Sequence, residues 1–250
     1  MTDNISPVAV NAALQSMRNT DFDIQTAMCE VIDNSLQADS KNIKVHVTYS
    51  DRTSRKRNRP EQIAFGDDGH GMEGEVLQYC LRLGYSKRYD DRKGIWMTFA
   101  AISLCQKIEV HSRPKRGNWN YTYLDIGGLN KDDEPSISPI VQKDLPDEYA
   151  HLVGDFGTLV IWSKIDRVDS PVNEGELIHH MGRIYRKFIG DEIIHDKKVV
   201  KIDDVRNLYI NSEIVKSFDP LFVTKSQQYP NDEITTLDDD GAMLCAVYHL

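Results

Sequence analysis

No apolar run in this chain is long enough to span a bilayer, and the polar start MTDNISP does not read as a signal peptide. Cysteine is scarce and scattered. The four residues Cys29, Cys80, Cys105 and Cys245 form no C-x-x-C pair, which argues against a zinc site and against a disulfide framework. That usage suits a reducing cytosol, so a cytoplasmic protein is expected. Positive charge is in deficit: 30 Lys and Arg against 39 Asp and Glu leave a net charge of −9. The surface as a whole therefore repels nucleic acid, and only a local basic patch could bind it. The phosphate-binding pattern G-x-x-x-x-G-K-[ST] is missing, which excludes a P-loop fold. No internal repeat is present.

What remains is an ordinary soluble composition, 40% hydrophobic and 28% charged, over 250 residues. That length suits one large domain, or one domain plus part of another. Residues 23–38 place Ile24, Ala27, Met28, Val31, Ile32 and Leu36 at helical spacing, with Asp21 or Asp23 as the cap. Residues 43–50 alternate strictly, with Ile43, Val45, Val47 and Tyr49 on one strand face. A polar basic stretch then leads to a second strand, QIAFGD. Residues 75–84 predict a helix ending at Gly84, and residues 97–106 a buried one. Strands follow at KIEVHS, NWNYTYLDI and GTLVIWSKI.

This order predicts an α/β protein, a two-layer sandwich of a mixed sheet with helices on one face. Residues 131–150 are acidic and proline-bearing and read as an exposed connection. A change near residues 166–171 divides the chain into a first domain, 1–168, and a second unit, 169–250. The second unit opens with the helix GELIHHMGRIYRKFI, continues in strands, and reads as cut short.

Two segments carry chemistry. In CEVIDNSLQAD, residues 29–39, Glu30 and Asn34 lie one helical turn apart on one face. A carboxylate there can take a proton from water, and the neutral amide oxygen of Asn34 suits magnesium, which prefers oxygen ligands. Such spacings are common on the wet faces of helices, so this motif alone decides little. In FGDDGHGM, residues 65–72, a strand runs into a turn holding Asp67, Gly69 and Gly71. A carboxylate at a strand end can accept the amino hydrogen of adenine, glycines let the backbone approach the base, and Met72 can pack on a ring face.

Together these segments resemble the GHKL ATPases: DNA gyrase B, MutL, the ninety-kilodalton heat-shock chaperones, microrchidia proteins and sensor histidine kinases. The likeness covers about residues 20–168 and is nearest to the MutL, microrchidia and chaperone-like members. It implies the Bergerat-type fold with ATP and Mg2+ as ligands. It also implies Glu30 as general base, Asn34 as magnesium ligand and Asp67 as the adenine-reading acid. Asp33 is a supporting acid, and Asp68 occupies a variable slot. Gly157–Thr158 is a third match, at which the family's threonine bonds the adenine-reading acid, often through water. MutL has an Asp–Ala pair where this chain has Gln37–Ala38. The likeness further implies an ATPase that closes a dimer on ATP and reopens it on hydrolysis, within a larger DNA-linked machine. A transducer-like unit would follow the pocket.

The match breaks at the glycine-rich lid. Ser86–Lys87 and Lys93–Gly94–Ile95 are as expected, and Met97, Thr98 and Phe99 open the next helix, but only Trp96 stands between Ile95 and Met97. Either the lid has been shortened, or the pocket closes differently, or lid residues are missing from this sequence; a short lid supplies fewer N–H donors for the γ-phosphate, so adenine binding should outlast turnover. Lys87 and Lys93 are candidate phosphate contacts. Two alternatives stand beside the ATPase: a nucleotide-binding module with little turnover, and a nucleic-acid-binding domain using RTSRKRNR at residues 52–59. That basic stretch has no interleaved aromatics and reads more readily as a solvated hairpin loop. His179 and His180 are adjacent on a helix and make a poor metal pair. Trp119, Tyr121 and Tyr123 alternate on one strand face and read as core.

Overall fold

The computed structural model describes residues 10–19, 22–50, 58–83, 96–128, 135–168, 170–190, 192–195, 198–201, 204–218, 235–236 and 243–244. Helix α1 (Val10–Met17) precedes α2 (Ile24–Gln37), whose start is fixed by the Asp23 carboxylate. That side chain accepts from the Thr26 backbone N–H and hydroxyl, both at 2.8 Å, so Asp23 is the cap. The hairpin β1 (Asn42–Tyr49) and β2 (Pro60–Asp67) follows, then α3 (Gly74–Tyr79) and α4 (Trp96–Leu104). Strands β3 (Cys105–Arg113), β4 (Asn120–Asp125) and β5 (Val141–Gln142) lead through a 3-10 turn at Ala150–Leu152 to β6 (Gly157–Ile165). After β6 come α5 (Glu174–Ile184), α6 (Arg186–Ile189), β7 (Glu192–His195), β8 (Lys198–Lys201), β9 (Asn207–Ile210) and β10 (Glu213–Ile214). Two further two-residue strands, β11 (Thr235–Thr236) and β12 (Met243–Leu244), pair with each other.

Eight strands form one mixed sheet in the order β10-β9-β1-β2-β6-β3-β4-β5. Only β9 runs parallel to its neighbour β1. The α/β expectation therefore holds. Alternation along β1 buries Ile43, Val45 and Val47 beneath the helices. Ala27, Met28, Val31 and Ile32 of α2 and Ala100, Ala101 and Ile102 of α4 close this core over Phe65 and Trp162, whose rings meet edge to face at 4.9 Å. The opposite sheet face carries a smaller cluster of Ala64, Leu159 and Ile161 under Tyr149, Leu152 and Val153. Leu152 sits so close over Gly66 that a Cβ there would lie 2.6 Å from it.

Several expectations are refined. The helix expected over 75–84 stops at Tyr79, because Cys80 and Arg82 donate to the carbonyls three residues back and tighten the chain into turns. Gly84 lies outside the described residues. Of the 131–150 connection, residues 135–150 are described and are mostly exposed, but Ile137 bridges Leu124 and β5 pairs with β4, so this stretch also edges the sheet. Trp119 and Tyr121 are buried, whereas Tyr123 is 37% exposed with the Lys107 ammonium 5.5 Å from its ring centroid. The helix expected over GELIHHMGRIYRKFI breaks at Tyr185, whose ring turns inward. The sheet itself runs past residue 168: β9 pairs with β1 from Asn42↔Asn207 to Val45↔Ile210, so residues 207–214 share one sheet with β2 and β6.

Candidate functional site

The site gathers where the C-terminal half of α2 meets the ends of β2, β6 and β3. Asp67, the last residue of β2, lies opposite Thr158 on β6, and Thr158 lies opposite Ser112 on β3. Three polar side chains thus form a row across adjacent strands. Asp67 is 6% exposed. Burial pushes its carboxyl up to about 6, against the pull of the Gly69 N–H and the Ser35 hydroxyl. These donors reach its two oxygens at 2.9 Å each. Ser35 comes from α2, one residue beyond Asn34, so the helix and the strand end are joined through this carboxylate.

The turn after Asp67 is tightly held. The Asp68 carboxylate accepts from the backbone N–H groups of Lys41 (2.7 Å) and Asn42 (2.9 Å) and from the Asn42 amide (2.7 Å). It clamps the turn to the start of β1. The His70 N–H donates to the Ala38 carbonyl at the end of α2. Gly69 packs so tightly there that a Cβ would lie 2.7 Å from Ala38 and from the Ser40 hydroxyl. Gly71 has φ +68°, and a Cβ would lie 2.2 Å from the Arg113 carbonyl oxygen. Met72 is half-buried against the core, and its N–H donates to the Ser112 hydroxyl at 2.8 Å.

Ser112 is the residue the sequence gives no sign of. It is fully buried; its hydroxyl lies 3.1 Å from the Gly157 carbonyl and 2.9 Å from the Thr158 hydroxyl, and it accepts from Met72. One hydroxyl therefore ties the turn at 71–72 to the start of β6. Gly157 has φ +129° and abuts the Asp67 carbonyl, where a Cβ would lie 2.0 Å away.

Glu30 and Asn34 sit half-buried on α2, one turn apart, on the part of the helix that leads into Ser35. Burial raises the Glu30 carboxyl above its ordinary value, and the Asp33 charge adds to this. Among the described residues no group of three or more His, Cys, Asp or Glu side chains converges as a metal site. An amide oxygen beside a carboxylate is a donor set that suits magnesium already carrying phosphate oxygens and water. The structure brings together Asp67, Gly69, Gly71, Met72 and Thr158, and ties them through Ser35 to the helix that bears Glu30 and Asn34. Lys87, Lys93, Gly94 and the expected lid lie outside the described residues, as does nearly all of the basic stretch at 52–59. Within the described residues no helix is long and apolar enough to cross a membrane.

A mixed sheet backed by helices, with a buried strand-end carboxylate bonded to the helix that bears Glu30 and Asn34, defines an α/β nucleotide-binding domain of the ATPase kind. The model of the family described as "Histidine kinase-, DNA gyrase B-, and HSP90-like ATPase" matches residues 22–153, and the chain belongs to that family. The match spans α2, the β1–β2 hairpin and the glycine turn, and ends before Thr158. No curated protein matches the chain in a sequence comparison.

Proposed function

We propose that this protein binds ATP with magnesium in the pocket between α2 and the β2 turn and hydrolyses it to ADP and phosphate. The observation that carries the reading is the buried Asp67 carboxylate, hydrogen-bonded to Ser35 and Gly69. A carboxylate buried at a strand end is an acceptor that suits the 6-amino group of adenine, where guanine carries a carbonyl oxygen. Thr158, opposite it in the sheet, supports the same edge of the base, and Met72 packs on its face.

Asn34 would hold magnesium through its amide oxygen. The ion, when bound, offsets phosphate charge. Glu30 takes the proton from the attacking water, and its raised affinity for protons makes it a stronger base at neutral pH. Lys87, Lys93 and Gly94 are proposed to meet the phosphates, and the short lid to limit turnover. Likeness to MutL, microrchidia and chaperone members supports an ATP-closed homodimer, acting as a switch in a larger DNA-linked machine. We propose a transducer-like unit over residues 169–250, of which β9 and β10 pair onto the sheet that carries Asp67 and Thr158.

The test is phosphate release beside ATP binding in one sample, for the intact protein and Glu30→Gln. Binding retained with turnover lost in the variant supports the base. Normal turnover by Glu30→Gln overturns it. Binding without any release by the intact protein leaves a nucleotide-binding module.

A further inference from the structure

Helix α5 approaches the nucleotide helix from the side and buries Leu177, Met181 and Tyr185 against it. Met181 Sδ lies 3.8 Å from Cys29 Sγ. Tyr185 is 2% exposed and ends α5 in a break, at φ −92° and ψ 10°. That break aims its phenol at one turn of α2. The hydroxyl is 2.9 Å from Asp33 Oδ1 and 3.1 Å from the Cys29 carbonyl oxygen. One O–H shared between these acceptors favours the carboxylate, since a charged acceptor makes the stronger bond. Asp33 stands three residues beyond Glu30, so the two carboxylates are neighbours on the helix surface. Asp33 is otherwise exposed, and without the phenol nothing among the described residues holds its side chain there.

We propose that Tyr185 is a positioning residue for hydrolysis: by holding Asp33 and the 29–33 turn, it fixes the setting in which Glu30 acts as base. The inference rests on the assignment of Glu30 above. Its physical content is twofold. Burial raises the Glu30 carboxyl, and a fixed Asp33 adds to this by keeping a negative charge beside it. A clamped turn also keeps the Glu30 backbone from shifting, which matters because small misplacements of a base are costly in rate. A segment beyond β6 thereby becomes part of the machinery of a helix near the start of the chain.

The experiment compares Tyr185→Phe, Asp33→Asn, the double variant and Glu30→Gln with the intact protein. Tyr185→Phe keeps the buried ring. ATP affinity and the melting midpoint are therefore expected to stay close to those of the intact protein. The turnover number is expected to fall about fivefold with little change in KM, a modest part of what a general base supplies. Because Tyr185 acts through Asp33, the double variant should be no slower than the slower single one, a non-additive pattern. Wild-type turnover in Tyr185→Phe overturns the inference, as does loss of affinity, turnover and stability in step, which marks a purely structural role. Additive losses in the double variant also overturn it. If Glu30→Gln loses turnover while Tyr185→Phe is normal, only this inference falls. If Glu30→Gln turns over normally, or the intact protein binds ATP and releases no phosphate, the assignment of Glu30 falls and takes this inference with it.

Discussion

Asp67 and Thr158 occupy facing register positions on β2 and β6, and the Thr158 hydroxyl is in turn 2.9 Å from that of Ser112 on β3. The candidate adenine end of the pocket is therefore a transverse row of the sheet, with its register set by strand pairing. A one-residue slip of β6 would turn Thr158 to the opposite face and dissolve the row.

Asp67 makes the fold less stable at neutral pH than it needs to be. Its folded-state carboxyl is raised by burial to about 6 from an ordinary 3.8. Such a group contributes its stability below pH 3.8, and that contribution is lost as pH rises through about 6. At roughly 1.4 kcal/mol per pH unit, the ionised form costs on the order of 3 kcal/mol. Asp67→Asn is accordingly expected to unfold at higher denaturant than the intact protein at pH 7.5, with the advantage gone near pH 4. Paired urea titrations at the two pH values measure this.

Gly71→Ala should damage both fold and pocket. The backbone sits at φ +68° and the added methyl meets the Arg113 carbonyl at 2.2 Å. Strain of about 1–3 kcal/mol is expected from the dihedral alone, before the collision. The urea midpoint and the ATP affinity should fall together. A variant as stable as the intact protein would show that this turn is not held as described.

Ser112→Ala removes an acceptor from the Met72 N–H and a partner from Thr158. A half-buried N–H left unmet costs about 1–3 kcal/mol. The expected outcome is weaker ATP binding, by roughly tenfold (about 1.4 kcal/mol), with the turnover number at saturating ATP unchanged. A titration of affinity beside saturated turnover separates the two. Unaltered affinity would remove Ser112 from the site.

Much of this was legible in local pattern. Asp23 as cap and the apolar spacing of Ala27, Met28, Val31 and Ile32 marked α2, and the alternation of Ile43, Val45 and Val47 marked β1. Glu30, Asn34, Asp67 and the glycine turn stood out because each motif is contiguous. Ser112 did not, since a lone serine in a strand says nothing until register places it beside Thr158. The parallel pairing of β9 with β1 joins residues more than 160 positions apart, from Asn42 to Asn207, and leaves no local trace. The break at Tyr185 was hidden for the same reason: residues 175–189 read as one continuous helix, and only the packing of Tyr185 on α2 shows why the chain turns there.

The measurement that tests the central claim most directly is calorimetric titration with ATP, ADP and GTP in magnesium, for the intact protein and for Asp67→Asn. The account predicts binding of both adenine nucleotides, none of GTP, and loss of binding in the variant. Absence of binding by the intact protein, or undiminished binding by Asp67→Asn, would contradict it.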